Sequence, residues 1–442
     1  MNSITYSECL AQMFSRGRFG IKLGLDTISG ILKNLGNPES GFRTVHIAGT
    51  NGKGSIASYM ASVLKASGKS VGLYTSPHLI RFNERFVING QEVSDNEIME
   101  AFLAVDKADT GERKATFFEL ATAMGFYLFA KRRVEWAVIE TGMGGRLDAT
   151  NIIRPEACII SNISMEHSDY LGDTLEKIAI EKGGIIKKKT PVVTGDSQAI
   201  VFHALKKIAE REEARLYLYK RHFISRRYPG ESRFDYDGIS HRWPGIELSL
   251  PGNHQIDNAA VALAALELIS SDMAKKPYSP ILTETIVRQG MQSTRWAGRL
   301  EHILEKPLVI LDGAHNLHAA ENLAKHLKET TRGKRLTLIL GILSDKPFEA
   351  MLGFLAPLAD RIVFTRAAID RSLDPEVLLA AARPLSQASM TVIENVGDAV
   401  VSTLNSSPET DVICIAGSLY VVGEAREKIL TDIKPGLDIA GH

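Results

Sequence analysis

The sequence lacks the features that would place the protein in a membrane or on nucleic acid. Its 52 Lys and Arg balance its 52 Asp and Glu, so the formal net charge is zero and no polyanionic partner is indicated. No apolar run approaches the ~18 residues that span a bilayer. The first residues, MNSITYSECL, do not join a basic segment to an apolar core. We therefore expect a cytoplasmic protein that binds neither membrane nor nucleic acid.

Cysteine is scarce. The three cysteines, Cys9, Cys158 and Cys414, are far apart in the sequence and form no pair with metal-ligand spacing. Cys158 and Cys414 lie in apolar, strand-like runs, where a free thiol behaves as a small hydrophobic group. We interpret all three as structural rather than redox-active or metal-binding.

The length and the order of elements predict two α/β domains. At 442 residues the chain exceeds what one hydrophobic core usually supports. Short apolar strands alternate with helical patterns, which is typical of a parallel sheet covered by helices. We predict a P-loop-type, mostly parallel sheet domain with a small antiparallel sheet over residues 1–295, and a doubly wound Rossmann-like domain over residues 296–442.

The predicted elements follow from local patterns. In the first domain the predicted strands are 43–48, 71–75, 134–140, 157–163 and 191–194, and the predicted helices are 55–67, 95–108, 116–131, 173–186 and 198–213. Ser94 or Asp95 is the expected N-cap of the second of these helices, and Asp173 that of the fourth. In the second domain the predicted strands are 308–312, 336–341, 361–365, 390–394 and 411–416.

Residues 215–250 alternate aromatic and polar side chains, with Asp237-Gly238 as a candidate hairpin turn. The arginines of this segment allow two interpretations, a nucleic-acid patch or the solvated face of an antiparallel sheet. They are Arg221, Arg226, Arg227 and Arg233. Their alternating spacing and the shortage of aromatic residues for stacking favour the solvated face.

A glycine-rich turn follows the first predicted strand. Glycines at 49, 52 and 54 allow a tight turn whose N–H groups face phosphate oxygens at a helix N-terminus. Lys53 would supply a point charge and Ser55 a hydroxyl for magnesium. The turn departs from G-x-x-x-x-G-K-[ST], because Gly54 separates the lysine from the hydroxyl. A glycine turn without function is the alternative, and the correct flanks on both sides disfavour it.

Other polar residues stand where the first domain's strands end, at the sheet edge where open α/β folds bind ligands. Ser76 follows one strand, Glu140 closes another, and His167 follows a third. A carboxylate beside a phosphate loop suits magnesium, which takes few protein ligands together with phosphate oxygens and water. Taken singly, Glu140 could be a capping or solvated residue and His167 a loop histidine.

A series of ordered motifs resembles the folylpolyglutamate synthase and dihydrofolate synthase family, part of the Mur ligase group. The motifs are LGLDTI (23–28), HIAGTNGKGS (46–55), YTSPHLIRFNER (74–85), ETGMGGRLDATN (140–151), SMEHSDYLGDTLEKIAIEKGGII (164–186), LPGNHQIDNAA (250–260), GRLE (298–301), LDGAHN (311–316), GILSDKP (341–347) and AGSLYVVGEAR (416–426). Departures are mild; for example, Glu166 stands where aspartate is frequent.

This resemblance implies an ATP-dependent ligase that joins L-glutamate to a carboxylate of dihydropteroate or a folate through an acyl phosphate. It implies two Mg²⁺ ions and a cleft between the domains where ATP binds. The implied ATP contacts are Gly49, Thr50, Asn51, Gly52, Lys53, Gly54, Ser55, Asn258, Arg299, Asp312 and His315. The implied metal ligands are Ser55, Ser76, Glu140, His167 and Lys182. Lys53, Glu140, His167 and Lys182 are the implied catalytic residues.

The resemblance also places the pterin substrate. The implied residues are Leu25, Asp26, Phe117, Phe118, Glu119, Leu147, Asp148 and Ala149. Aromatic rings would sandwich a flat heterocycle, and a carboxylate would pair with its ring nitrogens. On sequence alone, Phe117 and Phe118 at a helix start are more often core residues.

Lys182 has two interpretations. A lysine in the last turns of a helix before two glycines is ordinarily a surface cation that matches the helix dipole. The resemblance instead implies a lysine carbamylated by carbon dioxide, which becomes an anionic magnesium ligand. We expect Lys53 and Glu140, in contrast, to face a solvated cleft.

Alternative functions remain open at this point. The chain could be a monofunctional folylpolyglutamate synthase, a peptidoglycan-type Mur ligase, or a nucleotide-binding protein without catalysis. The segments Ser76-Pro77-His78-Leu79 and LGLDTI resemble the corresponding segments of bifunctional family members, so we expect both dihydropteroate and folates to be substrates. We expect a monomer.

Overall fold

The computed structural model describes residues 4–16, 24–166, 168–270 and 281–433. By its internal contacts the chain forms two compact units. The first comprises Met1–Ser249 and Gln255–Thr294, and the second comprises Leu250–His254 and Arg295–His442. The ranges 1–295 and 296–442 remain our proposal for the domain borders.

Eight strands form the main sheet of the first unit, in the order β4-β3-β2-β5-β1-β6-β7-β8. They are β1 (Arg43–Ala48), β2 (Val71–Tyr74), β3 (Phe86–Ile88), β4 (Gln91–Glu92), β5 (Trp136–Glu140), β6 (Ala157–Ile160), β7 (Val192–Thr194) and β8 (Leu216–Leu218). Neighbours pair in parallel except β3, which is antiparallel to β2 and β4. The prediction missed the β3–β4 hairpin, although its Asn89-Gly90 turn, with both φ angles positive, is a recognised hairpin signal.

Helices cover both faces of this sheet. They are α1 (Tyr6–Ser15), α2 (Asp26–Asn34), α3 (Lys53–Ala66), α4 (Asp95–Ala108), α5 (Phe117–Lys131), α6 (Ser168–Leu171), α7 (Leu175–Gly183), α8 (Ala199–Arg211), α9 (Asn253–Ser270) and α10 (Glu284–Ser293). One core joins Phe102 and Met124 to Tyr74 and Ile139 of the strands. A separate core packs α7 and α8 against β6 and β7. Strands buried on both faces explain the near-continuous apolar runs in the sequence.

Some predicted boundaries were wrong. The helix predicted over 173–186 is α7, and its N-cap is Thr174, whose side chain accepts from the Lys177 N–H. Asp173 instead pairs with Lys177 on the surface at 2.8 Å. Helix α3 begins at Lys53, two residues before the predicted start, because Gly52 in a left-handed conformation caps it. Ser94 caps α4 as predicted.

A second, antiparallel sheet comprises β9 (Ile224–Arg227), β10 (Arg233–Asp237) and β11 (Arg242–Glu247). Asp237 pairs with Arg242 across the hairpin, so the turn spans residues 238–241. Three of the arginines bind neighbouring carboxylates: Arg226 with Asp237, Arg227 with Asp257, and Arg233 with Glu231. These pairs support the interpretation as a solvated antiparallel face.

The second unit contains a six-stranded sheet in the order β12-β13-β17-β14-β15-β16. The strands are β12 (Glu301–Glu305), β13 (Leu308–Asp312), β14 (Leu336–Leu340), β15 (Arg361–Arg366), β16 (Ser389–Asn395) and β17 (Val412–Ala416). The helices are α11 (Leu317–Thr330), α12 (Phe348–Leu355), α13 (Pro375–Ala382), α14 (Val396–Ser406) and α15 (Leu419–Lys428). All pairs are parallel except β12–β13. The prediction missed β12 because only Ile303 of this edge strand is buried. The predicted fold class is confirmed.

The remaining composition-based expectations concern cysteine and membranes. Cys9, Cys158 and Cys414 are all buried free thiols. Within the described ranges, no helix is both long and apolar enough to cross a bilayer.

Candidate active site

The phosphate loop connects β1 to α3 and requires glycine at two positions. Gly49 and Gly52 have φ angles of 144° and 83°. A Cβ at Gly49 would lie 1.8 Å from Ser161 Oγ, and one at Gly52 would lie 2.5 Å from Asn258 Oδ1. A side chain at either position would therefore be strained by both its backbone conformation and its neighbours.

The loop is tied to the segment that follows β6. Thr50 N–H donates to the Asn162 carbonyl at 2.8 Å, and Asn51 N–H donates to Asn162 Oδ1 at 2.9 Å. Ser161 Oγ donates to the Asn51 carbonyl at 2.7 Å. The N–H groups of Thr50 and Asn51 are thus hydrogen-bonded within the protein. The donors that suit phosphate are those of the first turn of α3, where the first helical bond is Ile56 N–H to the Gly52 carbonyl.

Lys53 folds back over the loop. Its Nζ lies 3.1 Å from the carbonyl oxygens of Gly49 and Thr50. Ser55 is buried in the first turn of α3. Asn258, on α9, donates from Nδ2 to Gln255 Oε1 at 3.0 Å and places Oδ1 against Gly52. The structure therefore brings Lys53, Ser55 and Asn258 together around one turn.

Glu140 ends β5 beside the phosphate loop, since it pairs in register with Ile47 of β1. The side chain is 4% exposed, and Oε2 accepts from the Ser76 N–H at 3.1 Å. Glu140 is therefore buried, and the expectation that it faces a solvated cleft was wrong. Its environment is nevertheless polar, because Glu140 is the last residue of β5 and lies beside the end of the parallel strand β1.

The donor set at this edge fits magnesium in its chemistry. Ser55 and Ser76 offer hydroxyl oxygens and Glu140 a carboxylate, which are the hard ligands that Mg²⁺ prefers. His167, the predicted histidine ligand, lies outside the described residues. Among those described, no three His, Cys, Asp or Glu side chains converge as a metal-binding group. A site here would depend on phosphate oxygens and water, as is usual for magnesium.

Lys182 is buried, with only 2% of its surface exposed. Its Nζ donates to the Gly49 carbonyl at 2.7 Å and to Glu166 Oε1 at 2.6 Å. Its pKa is lowered to about 8, chiefly because the side chain is buried; the Glu166 carboxylate opposes the shift, and the Lys53 charge adds to it. The surface-cation interpretation is therefore wrong, and this lysine points at the phosphate loop.

The predicted pterin-binding aromatic residues on α5, Phe117 and Phe118, contact other residues of the protein. Phe117 stacks on Phe14 at 5.2 Å between ring centroids, and the Arg85 guanidinium lies 5.3 Å from the Phe117 centroid. Phe118 packs against Gly142, where a Cβ would lie 2.3 Å from the ring. Both rings are half-buried, so they serve the core and also line its surface.

Glu119 is a structural carboxylate in this structure. Arg113 donates to both of its oxygens, at 2.9 and 2.6 Å, and Thr116 completes a capping box with it. Leu25 is half-buried, and Asp26 is exposed at the start of α2. The pterin roles of these residues stay predictions.

The loop after β5 carries Leu147, Asp148 and Ala149. Leu147 is half-buried and Ala149 is buried. Asp148 is also buried, and its oxygens accept from Met143 N–H at 2.9 Å and Thr150 N–H at 3.0 Å. Burial raises the pKa of the carboxyl, and these hydrogen bonds oppose the rise.

In the second unit, Asp312 closes β13. Its oxygens accept from Leu300 N–H at 2.9 Å and from Ala314 N–H at 3.0 Å. Its pKa is raised to about 6, because burial outweighs the opposing effects of the nearby Arg299 charge and the two N–H donors. Arg299 approaches Gly313, where a Cβ would lie 2.3 Å from Nη1, and His315 Nδ1 lies 2.8 Å from the Gly313 carbonyl oxygen. Three of the predicted ATP contacts therefore cluster around one strand end.

Sequence reasoning missed two contributors to the loop. Ser161 and Asn162 hold the loop, and their position directly after a buried strand at the ligand-binding edge was the available signal. It also missed the contact between Glu166 and Lys182, because the two residues are 16 positions apart and no local sequence pattern connects them.

Two family models match this chain. The Mur ligase middle domain matches residues 47–266, and the Mur ligase glutamate ligase domain matches residues 298–419. The dihydrofolate synthase/folylpolyglutamate synthase of Bacillus subtilis is 33% identical, over 96% of this chain and 99% of the relative. This chain belongs to the folylpolyglutamate and dihydrofolate synthase family. The resemblance drawn from the motifs is thus confirmed.

Two further comparisons place this family member among its relatives. The folylpolyglutamate synthase of Lacticaseibacillus casei is 34% identical, over 97% of this chain and 99% of the relative. The solved structure of an Escherichia coli relative in complex with DHPP and ADP has a TM-score of 0.87 and 27% identity, covering 97% of this chain and 99% of the relative. The match therefore extends over both units, not over the phosphate loop alone.

Proposed function

We propose that this protein is an ATP-dependent ligase that joins the amino group of L-glutamate to a carboxylate of dihydropteroate or of a folate. The substrate carboxylate takes the γ-phosphoryl group, which gives an acyl phosphate and ADP. The glutamate nitrogen then attacks the acyl carbon, and inorganic phosphate leaves. The observation that carries the proposal is the convergence of Lys53, Lys182 and Glu140 on a glycine loop, in a chain that matches family members over their full length.

The residues of the phosphate loop perform alignment and charge neutralisation. Phosphoryl transfer between two anions needs these more than it needs a protein nucleophile. The first turn of α3 offers N–H donors and the positive end of the helix dipole. Lys53 offers a positive charge, and its Nζ contacts two loop carbonyls in this structure. We propose Asn258, Arg299, Asp312 and His315 as further ATP contacts.

Two magnesium ions are part of this proposal. Ser55, Ser76, Glu140 and His167 would hold them, and Lys182 would join as a carbamate. When bound, magnesium neutralises phosphate charge and polarises the transferred group. The protein's part is to orient the Glu140 carboxylate, which accepts a hydrogen bond from the Ser76 N–H.

Carbamylation of Lys182 is supported by its environment. Carbon dioxide adds only to a neutral amine, and the burial of Lys182 lowers its pKa to about 8, which makes that form accessible near neutrality. The product would carry a negative charge where the free lysine carries a positive one. The Gly49 carbonyl and Glu166 now occupy its hydrogen-bond donors, so the carbamate requires Glu166 to move away.

We further propose that dihydropteroate and folates are both substrates. Relatives of nearly equal identity carry a bifunctional name in one case and a polyglutamylating name in the other, so identity alone does not decide. The test is a substrate panel of dihydropteroate, tetrahydrofolate monoglutamate and a UDP-muramoyl peptide, each with ATP, magnesium and glutamate. We expect phosphate release with the first two.

Each alternative function predicts a different result in this panel. Turnover of tetrahydrofolate alone would indicate a monofunctional polyglutamylase. Turnover of the muramoyl peptide alone would indicate a peptidoglycan ligase. ATP binding without turnover of any substrate would indicate a non-catalytic nucleotide-binding protein.

A further inference from the structure

A buried hydrogen-bonded chain links β1 to the loop after β5. His46, in the middle of β1, is fully buried, and its Nε2 lies 2.8 Å from Thr150 Oγ1. Thr150 Oγ1 donates to Asp148 Oδ1 at 2.5 Å, and Thr150 N–H donates to the same oxygen at 3.0 Å. The other oxygen of Asp148 accepts from Met143 N–H. Asp148 therefore accepts hydrogen bonds from residues on both sides of it in its own loop.

The direction of these bonds fixes the protonation of His46. A carboxylate only accepts hydrogen bonds, so the single hydroxyl hydrogen of Thr150 goes to Asp148. Thr150 Oγ1 must then accept from His46, which therefore carries its hydrogen on Nε2. Consistent with this, His46 Nδ1 is buried and has no hydrogen-bond partner among the described residues. Burial and the Lys187 charge lower the pKa of His46 to about 3, so the ring is neutral.

We propose that His46 and Thr150 are positioning residues that hold Asp148 and the 141–150 loop in the conformation that receives the pterin-bearing substrate. The proposal rests on the proposed function and on the predicted pterin contacts Leu147, Asp148 and Ala149. The fixed end of the chain is β1, a central strand paired on both sides. The phosphate loop begins three residues beyond His46, so one strand supports both the nucleotide loop and the pterin loop.

The test compares Thr150→Val with Thr150→Ser in the full chain. Valine keeps the volume of threonine but leaves His46 Nε2–H without an acceptor and Asp148 without its shortest donor. Serine keeps the hydroxyl. Thr403→Val is the matched control, because Thr403 is equally buried and its hydroxyl has no partner among the described residues.

We expect Thr150→Val to raise KM for the pterin substrate roughly tenfold, and KM for ATP by less than about twofold. Thr150→Ser should restore KM for the pterin substrate to within about twofold of the wild type. The control should match the wild type in both constants. Equal rises in both KM values, or a Thr150→Ser variant as impaired as Thr150→Val, would overturn the positioning role.

A second measurement is made on the wild type and does not depend on turnover; a variant serves only to assign the signal. In ¹⁵N-histidine NMR of the wild type, the His46 ring, assigned by its loss in His46→Gln, should show a protonated Nε2 and a bare Nδ1. A bare Nε2 would refute the hydrogen-bonded chain whatever the activity. Absence of ligation by the wild type with every pterin substrate would instead refute the proposed function.

Discussion

The sheet edges that carry the candidate site residues use charge differently in the two units. In the first unit, Lys53 and Lys182 both contact the Gly49 carbonyl, and Glu166 partly neutralises Lys182. In the second unit, the carboxylate of Asp312 is held by two backbone N–H groups, with Arg299 nearby. One edge concentrates positive charge around a loop, and the other fixes a single negative charge at a strand end.

Both edges nevertheless shift a buried group toward its neutral form. Burial lowers the pKa of Lys182 to about 8 and raises that of Asp312 to about 6. In each case burial is the largest cause; Glu166 opposes it at Lys182, and Arg299 and the two N–H donors oppose it at Asp312. Burial therefore has the same effect on Lys182, on α7 of the first unit, and on Asp312, at the end of β13 of the second, since either group would be fully ionised at pH 7 if exposed.

The largest expected effect is that of Lys53→Ala. Loss of a charge aligned with the phosphates should lower kcat/KM for ligation by at least about a hundredfold. The unfolding free energy should change little, because the hydrogen bonds that Lys53 Nζ makes within the described ranges go to two loop carbonyls. Lys65→Ala, an exposed lysine in the last turn of the same helix, is the control. Substantial ligation by purified Lys53→Ala would contradict the role of the loop.

Glu140→Ala should also abolish ligation, and it should affect folding as well. The carboxylate is buried and accepts from the half-buried Ser76 N–H, so its removal leaves that donor unpaired. We expect urea denaturation to show a loss of about 1–3 kcal/mol. Retained ligation, measured by phosphate release, would remove Glu140 from the proposed metal ligands.

Lys182→Ala should lose ligation, and short carboxylic acids such as acetate should restore part of it by replacing the carbamate. Lys177→Ala, a surface lysine on the same helix paired with Asp173, should retain activity and respond to no added acid. Clear density for an unmodified ammonium in crystals grown with bicarbonate, magnesium and nucleotide would refute the modification.

Asp312→Asn should change the pH dependence of stability. The folded pKa of Asp312, about 6, exceeds its ordinary value of 3.8. The folded state therefore binds its proton more tightly, and this contribution to stability is present below pH 4 and lost as pH rises through 6. The shift corresponds to about 3 kcal/mol. The decline in unfolding free energy between these pH values should be smaller in Asp312→Asn, and identical slopes would contradict the assignment.

The smallest effect is expected from Arg226→Ala. Arg226 pairs with Asp237 at 3.6 Å and is 63% exposed, so its loss should change stability by less than about 0.5 kcal/mol. Ligation should be unchanged. A gain or loss of polynucleotide binding between the wild type and this variant would revive the rejected interpretation of the arginine segment as a nucleic-acid patch.

The sequence predicted the elements whose patterns are local. Strand β1 and its glycine loop could be predicted, because an apolar run and three glycines lie within a dozen residues. The burial of Lys182 could not be predicted from composition, since its partners Gly49 and Glu166 come from other parts of the chain. Glu140 illustrates the same limit, because its burial depends on the packing of neighbouring strands.

The most direct test of the account is phosphate release by the wild type with ATP, magnesium, L-glutamate and dihydropteroate. The account predicts release that requires all four components and yields dihydrofolate, with no product from Lys53→Ala. Phosphate release that is independent of glutamate, or a wild type that forms no glutamate adduct of dihydropteroate or of any folate, would contradict it.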